Sequence, residues 1–480
     1  MSPPRPLLLA ALALAALAPF AVAPAPARAP APARAPAPAR APAPAVAPAP
    51  ARVPAPARAP QPVVALLEGA ATPLRATEPG ADPGDLRPLG RAVGDASVVG
   101  MGEATHGSHE FPATKDRVFR HLVREHGFRT FALEAAWSTG VLLDAYVRYG
   151  EGDPRRIMRE DFQYTYALAN TAEHLALIEW MRDHNRRHPH DPVRFMGDDW
   201  GYTGPELYDR VTGHVAATRP ELAPRLDALY RGLRPTVPSA EYQKRYLAKP
   251  LAERREMAER TGRALALLRS SPPKGGDGRE ADAYAWTLRH ATVIDQTARG
   301  YAFDFDDPRQ VAAGMRYRDE AMADNIAWWH RHTGHKVLLS GHNNHVGYEP
   351  EDPEVLPRTQ GAFLRDRLGA RYRAVGFTFG QGSFKATDPE EREMLTHTVG
   401  PPPPGGNEDT LDRVRHDRYV LDLRTAPPAA RRWLATARPT RSVGTAYPEE
   451  RTTYDIALAR SYDVLIHLSR VRAVDLLPVS

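Results

Sequence analysis

From residue 63 onward, apolar positions fall into two alternating kinds of run. Short, nearly continuous ones at 97–101 (SVVGM), 128–133 (FRTFAL) and 193–196 (VRFM) read as buried strands. Between them, apolar residues recur three and four apart, so 85–93, 109–126, 137–149 and 171–187 read as helices. Phe111, Val118, Phe119, Leu122 and Val123 mark the inner face of the second. Strands alternating with helices predict parallel βαβ units.

From 205 to 332 the pattern is long, charged and helical, with helices expected at 253–268, 282–299 and 311–331 and no strand. Strands return at 336–340, 372–379, 419–423 and 462–468. Residues 388–408, which contain PPPPGG, are expected as a surface loop. The expected fold is therefore α/β: a three-layer core with a mainly parallel sheet, built from residues 63–204 and 333–480 and interrupted by a helical insertion at 205–332.

The N-terminus departs from this pattern. Arg5 and the apolar run at 7–23 have the layout of a signal peptide (1–23), and Ala21-Val22-Ala23 fits a small-x-small cleavage site. Pro24 disfavours a cut there, so cleavage after Ala27 is an alternative. The run is short for a membrane span and contains Pro19. Residues 24–62 form a linker in which APAPAR repeats. Alternating proline excludes helix and sheet and leaves extended polyproline II. At about 3.1 Å per residue, the repeat tract would reach on the order of 120 Å. A secreted or cell-envelope location follows. The tract is read as a stiff spacer, with its arginines as an alternative contact for anionic wall polymer or membrane lipid.

Charge and cysteine content narrow the chemistry. The net charge of +5 includes six arginines, with no acid, before residue 61. The remaining chain is thus close to neutral, and no basic face points to nucleic acid. The chain has no cysteine, which excludes a thiol nucleophile, disulfides and Cys-ligated metal.

In a parallel sheet, functional groups gather beyond the carboxyl ends of the strands. Four such loops carry ionisable residues. GEATHGSHEF follows the first strand, with Glu103, His106, His109 and Glu110. Glu134 follows the second, and Asp198-Asp199-Trp200 the third. GHNNH follows 336–340, with His342 and His345. Any one of these alone reads as a cap or surface residue, and Asp198 or Asp199 could cap a helix. Their joint occurrence is what suggests a cleft. His109 and His121, on or beside a helix, are set aside.

The chain lacks a G-x-S-x-G elbow, an H-E-x-x-H pair and both phosphate-cradling glycine motifs, which leaves histidine with carboxylates. A histidine can take a proton from water while a carboxylate fixes its tautomer. A second histidine or a cation can hold the oxyanion. The same residues could instead ligate a divalent metal, and both readings stand on the residues alone.

GEATHGSHEF, K-x-R, GF-x-x-FALEA, LDAYVRYGEGD, RFMGDD, R-x-x-x-MA-x-N and GHNNHVG, in this order, resemble the erythromycin esterase family, some of whose relatives are labelled for exopolysaccharide biosynthesis. The similarity runs from about residue 70 to 470. The resemblance implies an α/β core with a helical insertion and hydrolysis of an ester or macrolactone by activated water, without a required cofactor. It places the base on His106, its acidic partners on Glu103 and Glu134, and the family's loop histidines on His342 and His345. It assigns Lys115 to the stabilisation of developing negative charge and sets Asp199 and Arg318 near the cleft. Glu110 and Trp200 are further candidate substrate contacts. The expected partner is a small-molecule ester or macrolide-like compound. The competing readings are a divalent-metal hydrolase acting on an extracellular polymer or metabolite, and a non-enzymatic cell-surface binding protein.

Overall fold

The computed structural model describes residues 61–273, 278–448 and 451–479. The expected signal peptide and the expected linker up to residue 60 lie outside the described residues. Residues 61 and 62, expected as linker, begin the helix Gln61–Ala70.

The apolar runs form strands β1 (Thr72–Pro73), β2 (Val98–Met101), β3 (Phe128–Ala136), β4 (Arg194–Asp199), β5 (Lys336–Ser340), β6 (Tyr372–Thr387), β7 (Met394–Val399), β8 (Arg418–Asp422), β9 (Arg438–Arg441), β10 (Thr453–Ile456) and β11 (Val464–Val471). Nine of them make one sheet in the order β1-β8-β11-β6-β2-β5-β3-β4, with β7 paired to β6, while β9 and β10 form a separate ribbon. From β11 through β4 all neighbours are parallel. β8, β1 and β7 are antiparallel additions. The expected α/β fold with a mainly parallel sheet is the observed one.

The continuous hydrophobicity of the central strands has a direct cause: both faces are covered. Val98, Ala132, Met196 and Val337 enter one core, while the adjoining Val99, Phe131, Phe195 and Leu338 enter the other. Helices Glu110–His126 and Ala172–Arg187 cover the second face through Phe119, Leu122, Ile178 and Met181. Helices Pro205–Thr218, Leu251–Arg269, Gly278–Gly300 and Pro308–Thr333 cover the first through Leu207, Leu265, Ile294 and Ile326.

Three sequence expectations change. The loop expected at 388–408 contains β7, whose MLTHTV alternates outward and inward beside the extended end of β6, and then the short helix Asn407–Leu411. β6 outruns its expected end at residue 379 because it stays paired with β11 to Gly382 and from there runs on beside β7 to Thr387. β3 runs on to Ala136, and its pairing with β4 shifts register between Leu133 and Ala136. Glu134 therefore lies at a strand irregularity rather than in a following loop.

The loops after β2 and β5 are clasped together. The Asn343 N–H donates to the Glu103 carbonyl at 2.9 Å. The Asn343 side chain donates to the Phe377 carbonyl at 2.7 Å and accepts the Phe377 N–H at 3.0 Å, like a short extra strand against β6. Gly102 permits this approach: a Cβ there would lie 2.0 Å from Asn343 Oδ1. Asn343→Ala leaves two buried backbone groups of Phe377 unpaired. The expected loss is about 2 kcal/mol or more, read as a lower urea-unfolding midpoint at unchanged slope. An unchanged midpoint would contradict the clasp.

Candidate active site

The clasped loops, β3 and the helix Pro308–Thr333 open onto one cavity of about 220 Å³. Glu103, His106, Glu134, Arg318, His342 and His345 all line it. The six come from four separate chain segments.

Glu103 sits between His106 and Lys115. Its Oε1 is 2.7 Å from His106 Nδ1. Its Oε2 accepts from the Lys115 ammonium, which also donates to Ser340 Oγ at 3.1 Å and the Gly341 carbonyl at 3.3 Å. Burial opposes charge on Glu103, but Lys115 and His106 outweigh it and hold its pKa down to about 2. Burial lowers the pKa of Lys115 against the pull of Glu103. An ionised Glu103 accepts from Nδ1–H of a neutral His106 and leaves Nε2 as the basic nitrogen.

Glu134 holds the opposite wall. Its Oε1 accepts from Arg318 Nη2 at 2.9 Å, and its Oε2 from the His342 backbone N–H at 2.8 Å. Burial resists the charge, yet His345 and Arg318 keep this carboxyl well below the usual carboxylate range. Arg318 also donates twice to Asp199 Oδ2, at 2.7 and 2.9 Å. The next residue, Asp319, accepts from His345 Nδ1 at 2.8 Å and from the Gln360 N–H at 2.7 Å.

The two loop histidines take opposite states. Burial and the facing His106 lower the His342 pKa to about 3. Its Nδ1 accepts from the Asn344 N–H at 3.2 Å and its Nε2 lies 3.2 Å from the Val443 carbonyl, so it is a neutral ring protonated at Nε2. It packs against His106 with ring centroids 5.0 Å apart. Burial also works against charge on His345, but Asp319 and Glu134 override it and carry the pKa up to about 9. His345 is therefore drawn toward its imidazolium form, with Nε2 lying 3.3 Å from Glu134 Oε1. Arg318 Nη1 lies 3.2 Å from the same Nε2 with a hydrogen aimed at it, so Arg318 and Glu134 both compete for that nitrogen.

Four expected substrate contacts lie elsewhere. Lys115 is fully buried behind Glu103 and serves that carboxylate, not the cavity. Asp199 is likewise buried, behind Arg318. Trp200 is 3% exposed, its large ring filling the core against Tyr301 and Tyr317. Glu110 opens its helix on the far side and accepts the Arg472 backbone N–H at 2.8 Å. Glu103, His106, Glu134, Arg318, His342 and His345 are brought together. Asp319, Glu351 and the segment 442–445 complete the site and were not found by pattern. Only the position of Asp319, beside Arg318 on the same helix, hinted at one of them.

The donors in the cavity do not fit a divalent ion, because the protein's own cations already engage both glutamates. Among the described residues, the one group of three with metal-ligand spacing is His109, Glu173 and Asp475, none of which lines the cavity. There, His109 bridges Glu173 at 2.6 Å and Glu78 at 2.9 Å.

Comparison with known proteins gives a consistent kinship. The sequence model of a family described as Erythromycin esterase matches residues 123–471, starting downstream of Glu103, His106 and Lys115. Erythromycin esterase type II of Escherichia coli is 23% identical over 340 residues, 66% of this chain and 77% of that protein. A Bacillus cereus protein of known crystal structure is 27% identical with a TM-score of 0.79, over 87% of this chain and 99% of that one. The crystal structure of a succinoglycan biosynthesis protein is 26% identical with a TM-score of 0.76, over 87% of this chain and 98% of that one.

The state of His345 sets a pH dependence of stability. Its folded pKa of about 9 lies above the ordinary 6.5, so its contribution is complete below pH 6.5 and is lost as pH rises through about 9. The urea-unfolding midpoint is expected to fall between pH 6.5 and 9.5, and to fall less in Asp319→Asn, which removes the main support of the charge. Parallel curves for the two proteins would contradict the assignment.

Proposed function

The chain belongs to the erythromycin esterase family, and on that premise we propose that it hydrolyses an ester bond with water activated by His106. Family membership supports a hydrolase. The observation that carries the finer reading is the 2.7 Å pairing of His106 Nδ1 with an ionised Glu103 in the cavity wall.

In this reading, Glu103 fixes the tautomer of His106, whose Nε2 takes a proton from water as the oxygen attacks the carbonyl carbon. Glu103 then stabilises the imidazolium, and Lys115 keeps Glu103 ionised from behind. Arg318 and the His345 imidazolium supply positive potential for the oxyanion. Glu134 contacts both of these groups and fixes the His342 loop through its backbone N–H. His342, neutral and engaged at both nitrogens, shapes the wall beside His106 rather than donating to substrate.

The substrate class we propose is an ester or macrolactone, with antibiotic inactivation as one role. The N-terminal apolar run and the APAPAR tract support a secreted or envelope-associated enzyme, and the tract's arginines support contact with an anionic wall polymer or membrane surface. An extracellular polymer ester fits that location equally well.

The test is a panel of macrolactones of different ring size beside simple alkyl and aryl esters, read by mass for the gain of one water. His106→Asn is expected to lower kcat on the order of 10³-fold with unfolding unchanged. Full turnover in a folded His106→Asn protein would overturn the assignment.

A further inference from the structure

Glu351 also lines the cavity and has no part in the reaction described so far. Its Oε2 accepts from Ser442 Oγ at 2.7 Å. Its backbone N–H donates to Asn344 Oδ1 at 3.0 Å, which ties it to the loop of His342 and His345. Its Oε1 is buried and has no hydrogen-bond partner among the described residues. A buried carboxyl oxygen left unpaired costs free energy, a cost that protonation of that oxygen and a turn of the carboxyl group toward a ligand in the cavity would relieve.

Ester hydrolysis needs two proton transfers of opposite sense: one away from water and one onto the departing alcohol oxygen. His106 with Glu103 accounts for the first. For the second, the groups nearest His106 in the wall, His342, His345 and Arg318, are poorly placed. His342 has both ring nitrogens engaged, by the Asn344 N–H and the Val443 carbonyl, and His345 has Nδ1 on Asp319 and Nε2 between Arg318 and Glu134. Arg318 does not release a proton in the working range of an enzyme.

We propose that Glu351, protonated on Oε1, is the general acid that protonates the leaving alcohol. The proposal rests on the reading that His106 activates water. As the bond between the acyl carbon and the alkoxy oxygen breaks, its electron pair stays on oxygen and takes the Glu351 proton, while the carbonyl re-forms. Glu351 then regains a proton from solvent, and the His106 imidazolium releases the proton taken from water. The sum is ester plus water giving acid plus alcohol.

The surroundings favour the acid form. Burial pushes the Glu351 pKa up to about 7 against the pulls of Ser442 and His345. His106, Glu134, Tyr166, His174 and Arg318 are among the other charged or titratable groups that line the cavity. The adjoining Asp352 is engaged by Arg451 at 2.9 Å.

The experiment compares an alkyl ester, whose alkoxide leaves poorly, with the p-nitrophenyl ester of the same acid, whose leaving group needs no proton. In Glu351→Gln the ratio of alkyl to aryl kcat is expected to fall on the order of 10²-fold, and Glu351→Asp to restore part of it. An unchanged ratio, whether both rates fall together or neither falls, would overturn the proposal. If Glu351→Gln does not fold, the wild-type enzyme decides: a shallow dependence of kcat on leaving-group pKa is expected, and a steep one would overturn the assignment. His106→Asn in the same series separates the two claims. Loss on both esters keeps the His106 reading whatever Glu351 shows, whereas full turnover overturns both.

Discussion

A carboxylate removed from water persists only if other groups replace the lost hydration, and Glu103 meets that demand with a lysine on one side and a histidine on the other. The rest of the site depends on this arrangement. Because Lys115 is wholly buried, its charge acts on Glu103 rather than on solvent or ligand. Because Glu103 then stays ionised, the orientation of His106 follows from its hydrogen bond. Placing the first base of the reaction thus falls to a cation that substrate does not reach.

The far wall repeats the principle with more members. Glu134 and Asp199 share Arg318, while Asp319 and Glu134 share His345. Arg318 and Asp319 are consecutive residues of a helix that lies outside the strand-end loops, so the α/β core does not complete its own electrostatics. The helix Pro308–Thr333 supplies both the guanidinium facing the cavity and the carboxylate that charges the histidine behind it. Such a network carries a large desolvation cost, and in return holds charge in fixed positions where a reaction could use it.

The parallel core and the strand-end groups were legible because their causes are local. Burial on both faces makes strands such as VVGM uniformly apolar, and the loops after them carry the ionisable residues. What was missed depends on partners distant in the chain. β7 exists because β6 continues past the sheet to meet it. Glu134 reads as a residue after its strand because nothing in FALEA marks a register shift that arises against β4. Asp319 acquires its role from His345, 26 residues on, and Glu351 is held by Ser442, 91 residues on. Glu110 and Trp200 misled for the converse reason. Adjacency in sequence to Glu103 and Asp199 does not fix which way a side chain turns: the start of a helix carries Glu110 to the C-terminal segment, and core packing draws in Trp200.

The central claim is that Glu103 fixes His106 with its proton on Nδ1 and Nε2 turned to the work of the cavity. Nitrogen NMR of the protein labelled at histidine, recorded at a pH where His106 is neutral, reads this directly. The account predicts a protonated Nδ1 and an unprotonated Nε2 for His106, with that preference lost in Glu103→Gln. A His106 ring protonated at Nε2 in the unaltered protein would contradict it.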